Sequence, residues 1–192
     1  MGFAVVAFSQ LRFREAEPAD AANVAALHAD SWRRHYRGAY SDIFLDGDVE
    51  ADRLAVWSSR MGADDPFRHT VVAHHDDILV GFVHVVFDHD PRWGSLVDSL
   101  HVTHLLKRRG VGTRLMQLAA EAVAERAPGG GMYLWVLEQN TAGQAFYEAR
   151  GGRPVERALV NAPGGDPVRL DGSPAMLRYA WPDADDVSRL GR

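Results

Sequence analysis

The chain has no cysteine. That absence excludes a disulfide framework, a cysteine nucleophile and a zinc–thiolate site, and the expected location is the cytoplasm. Lysine is nearly absent too: Lys107 stands alone among 21 basic residues. No apolar run is long enough to cross a bilayer. Met1–Phe8 is apolar but short, carries no basic residue and leads straight into the charged alternation Leu11-Arg12-Phe13-Arg14-Glu15, so neither a signal peptide nor a membrane partner is expected. Excess positive charge is missing as well. A net charge of −5 argues against a nucleic-acid partner, because counterion release demands a basic face. No internal repeat is present. What remains, 192 residues of which 46% are hydrophobic and 24% charged, reads as one globular enzyme domain over 1–192. Residues 1–10 and 183–192 are expected to be loose ends.

Periodicity and chain breakers order the elements. Leu11–Glu15 alternates as a strand; from Pro18 and Asp20 a helix carries Val24, Leu27 and Ser31 at helical spacing into Trp32-Arg33-Arg34-His35-Tyr36. A second helix is expected from Asp48 to about Arg60. Thr70–His74 and Ile78–Phe87, rich in β-branched residues around a polar turn, form a hairpin. A loop over Asp90–Gly94 precedes the apolar strand Leu96–Val102. The next helix, Thr113–Arg126, buries Val111, Leu115, Leu118 and Ala122 and stops at Pro128 and three glycines. Met132–Leu137 suits a buried strand, and Glu138-Gln139-Asn140-Thr141 opens a short helix that Gly151 closes. Two tail strands follow, Val155–Val160 and Met176–Trp181, joined by a Pro/Gly-rich loop.

The most informative stretch is Lys107-Arg108-Arg109-Gly110-Val111-Gly112-Thr113, lying between a strand and a helix. Glycines let the backbone approach a ligand, while the first turn of the helix offers unpaired N–H groups and a positive dipole end. It reads as a phosphate seat, with a solvated basic turn whose glycines serve only the bend as the alternative. It is not a Walker loop, since the lysine precedes the glycines, and Leu115 stands where a dinucleotide fingerprint needs its third glycine. A second string follows about thirty residues on: Asn140-Thr141-Ala142-Gly143-Gln144-Ala145-Phe146-Tyr147-Glu148. Read alone, Asn140 is a helix N-cap and Tyr147 an amphipathic core residue with a wet hydroxyl.

Together the two strings resemble the signatures of the GCN5-related N-acetyltransferase family. One is its acyl-CoA pyrophosphate loop, Gln/Arg-x-x-Gly-x-Gly/Ala, with Lys107 in the first position, which keeps the charge but loses the guanidinium fork. The other is an Asn followed seven residues later by Tyr. The match is strongest over Leu96–Gly152; Asp30–Gly38 is similar to the first-helix segment of small bacterial members. The resemblance implies an α/β (α+β) fold: a mixed, mostly antiparallel sheet with helices on both faces and a splayed strand pair. It implies acetyl-CoA as co-substrate, held by backbone groups of Leu100 and Val102, by the Lys107–Thr113 loop (Lys107, Arg108, Arg109, Gly110, Val111, Gly112, Thr113), and by Asn140 and Tyr147.

The chemistry then has two proton problems. A primary ammonium with pKa about 10.4 is neutral to only about one part in 2,500 at pH 7, so the site must help deprotonate it. Asp98, His84, His101 and His35 are the candidate bases. Two-residue alternation places Asp98 on the strand face of Leu100 and Val102, yet pairing of Asp98 with an arginine is an equal alternative. The leaving thiolate needs a proton, for which Tyr147 is the donor that the resemblance also supports. Trp32, Tyr36 and Trp93, with His84, are candidates for lining the acceptor pocket, by aromatic packing and cation–π attraction. No metal site is expected: His74-His75-Asp76-Asp77 and His101-x-x-His104 lack a ligand spacing such as His-Glu-x-x-His, and a strand would send His101 and His104 to opposite faces. The expected activity is N-acetylation of a small-molecule amine by direct attack in a ternary complex. Acetylation of a protein or peptide, and a non-catalytic acyl-CoA-binding module, remain alternatives. A monomer or homodimer is expected.

Overall fold

Leu11–Glu15 forms β1, and Ala21–His35 follows as α1, started by Asp20, whose carboxylate accepts from the Glu17 N–H and takes two bonds from Arg14. Val24, Ala25, His28, Ala29 and Trp32 make the buried stripe of α1, spaced at three and four residues. Arg33, Arg34 and His35 end it, matching the negative end of the helix dipole. A five-residue helix absent from the sequence reading, α2 (Asp42–Asp46), comes next; it is too short to show a period. Then α3 (Val49–Gly62) buries Val49, Arg53 and Trp57 on one face. The remaining elements are β2 (Arg68–His75), β3 (Ile78–Asp90), β4 (Gly94–Val102), α4 (Val111–Arg126), β5 (Met132–Leu137), α5 (Thr141–Glu148), β6 (Arg153–Leu159), β7 (Ala175–Trp181) and α6 (Asp185–Ser188). This computed structural model describes residues 11–127 and 129–188. The expectations for residues 1–10, for Pro128 and for 189–192 lie outside the described residues.

The seven strands run in the order β1-β2-β3-β4-β5-β7-β6 and pair antiparallel except for β4 with β5. This is the mixed, mostly antiparallel sheet expected. The two faces are covered differently. On one, α4 and α6 pack on Val71, Val83, Val85 and Val97; on the other, α1 and α3 pack Val24, Ala25 and Trp57 on Val72 and Phe82. Such burial, about 25 cal/mol per Å² of apolar surface, is what holds helices of this length in place. The tail differs from expectation over 183–188: Ala184 and Val187 are buried in the α4-side core, so this part is packed. No helix among the described residues is long and apolar enough to cross a membrane.

Two departures from strand regularity position the site. The parallel pair β4–β5 holds register only at Ser95–Met132 and Leu96–Tyr133, and beyond that the two strands are no longer paired. In addition, β3 pairs His84 with Ser99 but Val85 with Val97, so Asp98 is an extra residue in β4, a β-bulge.

Candidate active site

The bulge changes which side chains share a face. Past Asp98 the alternation resets, so Leu100 and Val102 pack with Val97 in the α4-side core, whereas Asp98 reaches Arg60 of α3 on the other side. The expectation that Asp98 shares a face with Leu100 and Val102 is therefore corrected; strict alternation fails where one strand carries an extra residue. Pairing also sets the backbone. Thr103 N–H donates to Val80 O at 2.8 Å, so the bonds to β3 are made by Thr103, His101 and Ser99, and the N–H and C=O groups of Leu100 and Val102 face the β5 side. There the ladder has ended.

This open edge leads to the glycine turn. Arg108 has φ 62° and Gly110 φ 81°, two left-handed residues in a row of five that swing the chain into α4. Gly110 caps α4, and only from Arg114 onward does the helix close its own bonds, Arg114 N–H donating to Gly110 O at 2.9 Å. Val111, Gly112 and Thr113 thus present the orphan N–H groups of a helix start. A side chain at Gly112 would sit 3.5 Å from the Phe146 ring, an ordinary contact, so α5 packs directly beside the α4 N-terminus. Lys107, Arg108 and Arg109 are exposed, and the Lys107 ammonium donates to His35 Nε2 at 2.8 Å. Burial, reinforced by Lys107, keeps His35 below its ordinary pKa.

Across the gap, Asn140 N-caps α5, its side chain accepting from Gly143 N–H at 3.0 Å. Tyr147 is half-buried, its ring 5.3 Å from Phe146, 6.1 Å from Tyr179 and 6.2 Å from Trp181. Burial, and to a lesser degree Tyr36, push its phenol well above the ordinary value. A neutral phenol is a proton donor at all working pH values.

On the α1–α3 side the arrangement differs from the sequence reading in several places. Asp98 accepts from Arg60 Nη1 at 2.6 Å; burial alone would push its carboxyl up, but the Arg60 charge and hydrogen bond outweigh that and hold it below the ordinary range. A carboxylate so held is a poor base. His84 is buried, shares a 2.7 Å hydrogen bond with Thr70 Oγ1 and stands edge-on to Trp57 at 5.3 Å; burial and Arg60 bring it down to about 4. It lies within the core and does not line an open pocket. His101 is half-buried, with Ser31 Oγ 2.7 Å from Nδ1 and its ring 4.4 Å from that of His28; burial and His35 lower it to about 3. His104 lies past β4 in a short helical turn, so strand alternation does not set its direction. Trp32 and Tyr36 do come together, 5.4 Å apart, with Tyr40 beside both. Tyr36 is raised to about 12 by burial and then by the charge of Asp98. Trp93 stands at the opposite end of β4, against Arg92 and Arg178.

Two groups went unnoticed in the sequence. Arg53 belongs to the buried stripe of α3, stacks over Trp32 at 4.2 Å and pairs with Asp52; a charged residue at an apolar helical position was the available signal. Arg150 donates to Thr113 Oγ1 in the first turn of α4, and nothing in the linear string announces that contact.

An unpaired parallel strand edge, running from a basic glycine turn at a helix N-terminus toward a capped short helix with a buried tyrosine, coincides with residues 25–152, which match the family model described as the acetyltransferase (GNAT) family. The chain belongs to this GNAT acetyltransferase family. The class of enzyme expected from the two motifs is thus the one to which it belongs. A Mycobacterium tuberculosis protein described as a probable N-acetyltransferase is 26% identical over 160 residues, covering 74% of this chain and 79% of its own. Among solved structures, the PaiA N-acetyltransferase of Thermoplasma acidophilum in complex with coenzyme A is similar in fold, with a TM-score of 0.67 and 16% identity, over 89% of this chain and 99% of that one. Arabidopsis thaliana NAA60 in complex with acetyl-CoA matches with a TM-score of 0.62 and 17% identity, over 89% and 97%. These two neighbours hold coenzyme A or acetyl-CoA, and this chain offers polar groups of the kind such a ligand needs: backbone groups of Leu100 and Val102 past the end of the β4–β5 ladder and the orphan N–H groups at the start of α4.

Proposed function

We propose that this GNAT protein transfers an acetyl group from acetyl-CoA to a primary amine of a small molecule by direct attack in a ternary complex. The observation that supports this reading is the β4 edge at Leu100 and Val102, which the β4–β5 ladder leaves unpaired and which leads into the basic glycine turn at the start of α4, with Tyr147 packed on the same core. A small acceptor is favoured because the loop between β6 and β7 is tied across the acceptor side. Ser41 N–H donates to Arg169 O and Asp171 N–H to Ala39 O, both at 2.9 Å, and Arg169 pairs with Asp52. A peptide backbone would have to displace these bonds.

In this reading the N–H groups on the β4 edge, already fixed by the sheet, hold the charge that develops on the carbonyl oxygen, at no reorganisation cost. Tyr147 gives its proton to the departing thiolate. Burial raises the phenol, and a thiol desolvated beside it is raised in the same direction, so the proton transfer stays close to balanced. The incoming ammonium loses its proton to water in the cleft beside Asp98, Tyr36 and His101. Each side-chain candidate is disqualified as an unaided base: Asp98 by Arg60, His84 by burial, His35 by Lys107 and His101 by its low proton affinity.

Thermal unfolding with acetyl-CoA at about 100 times its dissociation constant is expected to show roughly 2.7 kcal/mol of stabilisation. Thiol release with a panel of primary amines then separates enzyme from binding module, and Tyr147→Phe is expected to lower kcat by about 10²- to 10⁴-fold while the acetyl-CoA stabilisation persists. No stabilisation at saturating acetyl-CoA would refute the proposal, and turnover only with peptides would redirect it to a protein substrate.

A further inference from the structure

Arg150 is a half-buried cation that pairs with no carboxylate among the described residues; burial lowers its pKa, and the smaller opposing influence is the phenol of Tyr147. Its guanidinium is nevertheless held on three sides. Nη1 donates to Phe146 O at 2.7 Å, Nη2 donates to Thr113 Oγ1, and the plane lies over the Phe146 ring at 3.6 Å. Nε is buried without a partner among the described residues. The backbone at this point is anchored too: Trp181 Nε1 donates to Arg150 O at 2.7 Å, and the N–H groups of Arg150 and Gly152 both donate to Tyr147 O at 3.0 Å. Leaving a buried N–H unpaired and a cation without a counter-ion costs free energy, so the arrangement is retained against its local cost.

What Arg150 joins is informative. Thr113 lies in the first turn of α4, where the phosphate-binding N–H groups are, while Phe146 and Tyr147 lie on α5. These two helices have little packing of their own. Between them, the Phe146 ring sits against Gly112 on one side and Arg150 on the other, so Gly112, Phe146, Arg150 and Thr113 form a closed strap.

We propose that Arg150 is a positioning residue that locks the phosphate seat at the α4 N-terminus to the helix carrying Tyr147, so that holding the cofactor and placing the phenol are one event. The inference rests on the acetyl-CoA reading of the site. It acts through Thr113 and Phe146, and the unpaired charge adds to the positive potential at the helix start.

The test uses the full chain, calorimetric titration with acetyl-CoA, and thiol release in the presence of the amine panel. Arg150→Met keeps an apolar contact with Phe146 and removes the charge and both donors. It is expected to lower kcat/KM for acetyl-CoA by about 10- to 100-fold, with kcat falling as well as KM rising, since a displaced phenol and a displaced seat both contribute. Arg150→Lys recovers part of the loss. Thr113→Val reproduces part of it, and the double variant Thr113→Val/Arg150→Met is no worse than Arg150→Met alone, the signature of two groups acting as one. If Arg150→Met fails to fold, Arg150→Lys and Thr113→Val decide the matter by the same readouts. Wild-type-like kcat/KM in the variants, or losses that simply add, overturn the strap while leaving the acyltransferase reading intact. A wild-type chain that binds no acetyl-CoA overturns both.

Discussion

Tyr147 packs against the α4-side core and Asp98 faces α3 on the other face of the sheet, and their surroundings differ accordingly. Burial outweighs the opposing Arg150 charge at Tyr147, which stays protonated; a pH profile of kcat/KM is therefore expected to lack a descending limb from this phenol below about pH 10. Asp98 is committed to Arg60. Asp98→Asn is expected to cost about 1–3 kcal/mol of stability, between the limits for exposed and buried pairs, while the pH dependence of turnover stays in place. Denaturant unfolding and a rate–pH profile on the same variant check both halves, and loss of the acidic limb of that profile would restore Asp98 as the base. Both residues were legible in the sequence as candidates. Their roles were not, because Arg60 is 38 positions away from Asp98 and only the packing of α3 on the sheet brings it within reach.

At the scale of elements, glycines decide where strands and helices meet. Gly94 has φ 80°, and a side chain there would lie 2.1 Å from Gly131 O, the carbonyl that accepts from Ser95 N–H at 2.9 Å. That contact begins the short parallel pair whose later separation forms the cleft. Gly94→Ala is expected to destabilise by more than about 3 kcal/mol, whereas Gly151→Ala, with φ 78° but open space around it, costs only about 1 kcal/mol. Urea titrations of the two variants test the contrast, and equal costs would show that the left-handed backbone dominates and the close approach does not. The longer elements were readable from period and breakers, β1 to its bounds, most of the others within two or three residues. The bulge at Asp98 and the helix α2 were not, since neither changes the local hydrophobic pattern enough to register.

For the whole molecule, the core contains neutral histidines. Trp57 Nε1 donates to His28 Nδ1 at 3.0 Å, and burial keeps His28 far below its ordinary value; His84, facing Arg60, Arg68, His69 and Asp98, is near 4. Between about pH 4.5 and 6.5 the unfolded chain holds protons that the folded chain does not, so stability falls with decreasing pH, by about 1.4 kcal/mol per unit for each such histidine. Asp98, whose folded value is depressed, acts only at lower pH. Unfolding free energies from pH 7 to 4.5 are expected to show this slope, and His84→Gln to reduce it by about one proton; an unchanged slope would mean that His84 is charged in the core. The sequence alone determined the order of the longer elements, the basic glycine turn before the start of α4 and the Asn140–Tyr147 string, because each is carried by residues close together in the chain, where spacing and backbone chemistry suffice. Tertiary structure decided which face Asp98 serves, that His84 is core and Trp93 remote, and that Arg150 binds the two helices. Those outcomes depend on contacts between distant segments, fixed only when the sheet and its helices are packed together.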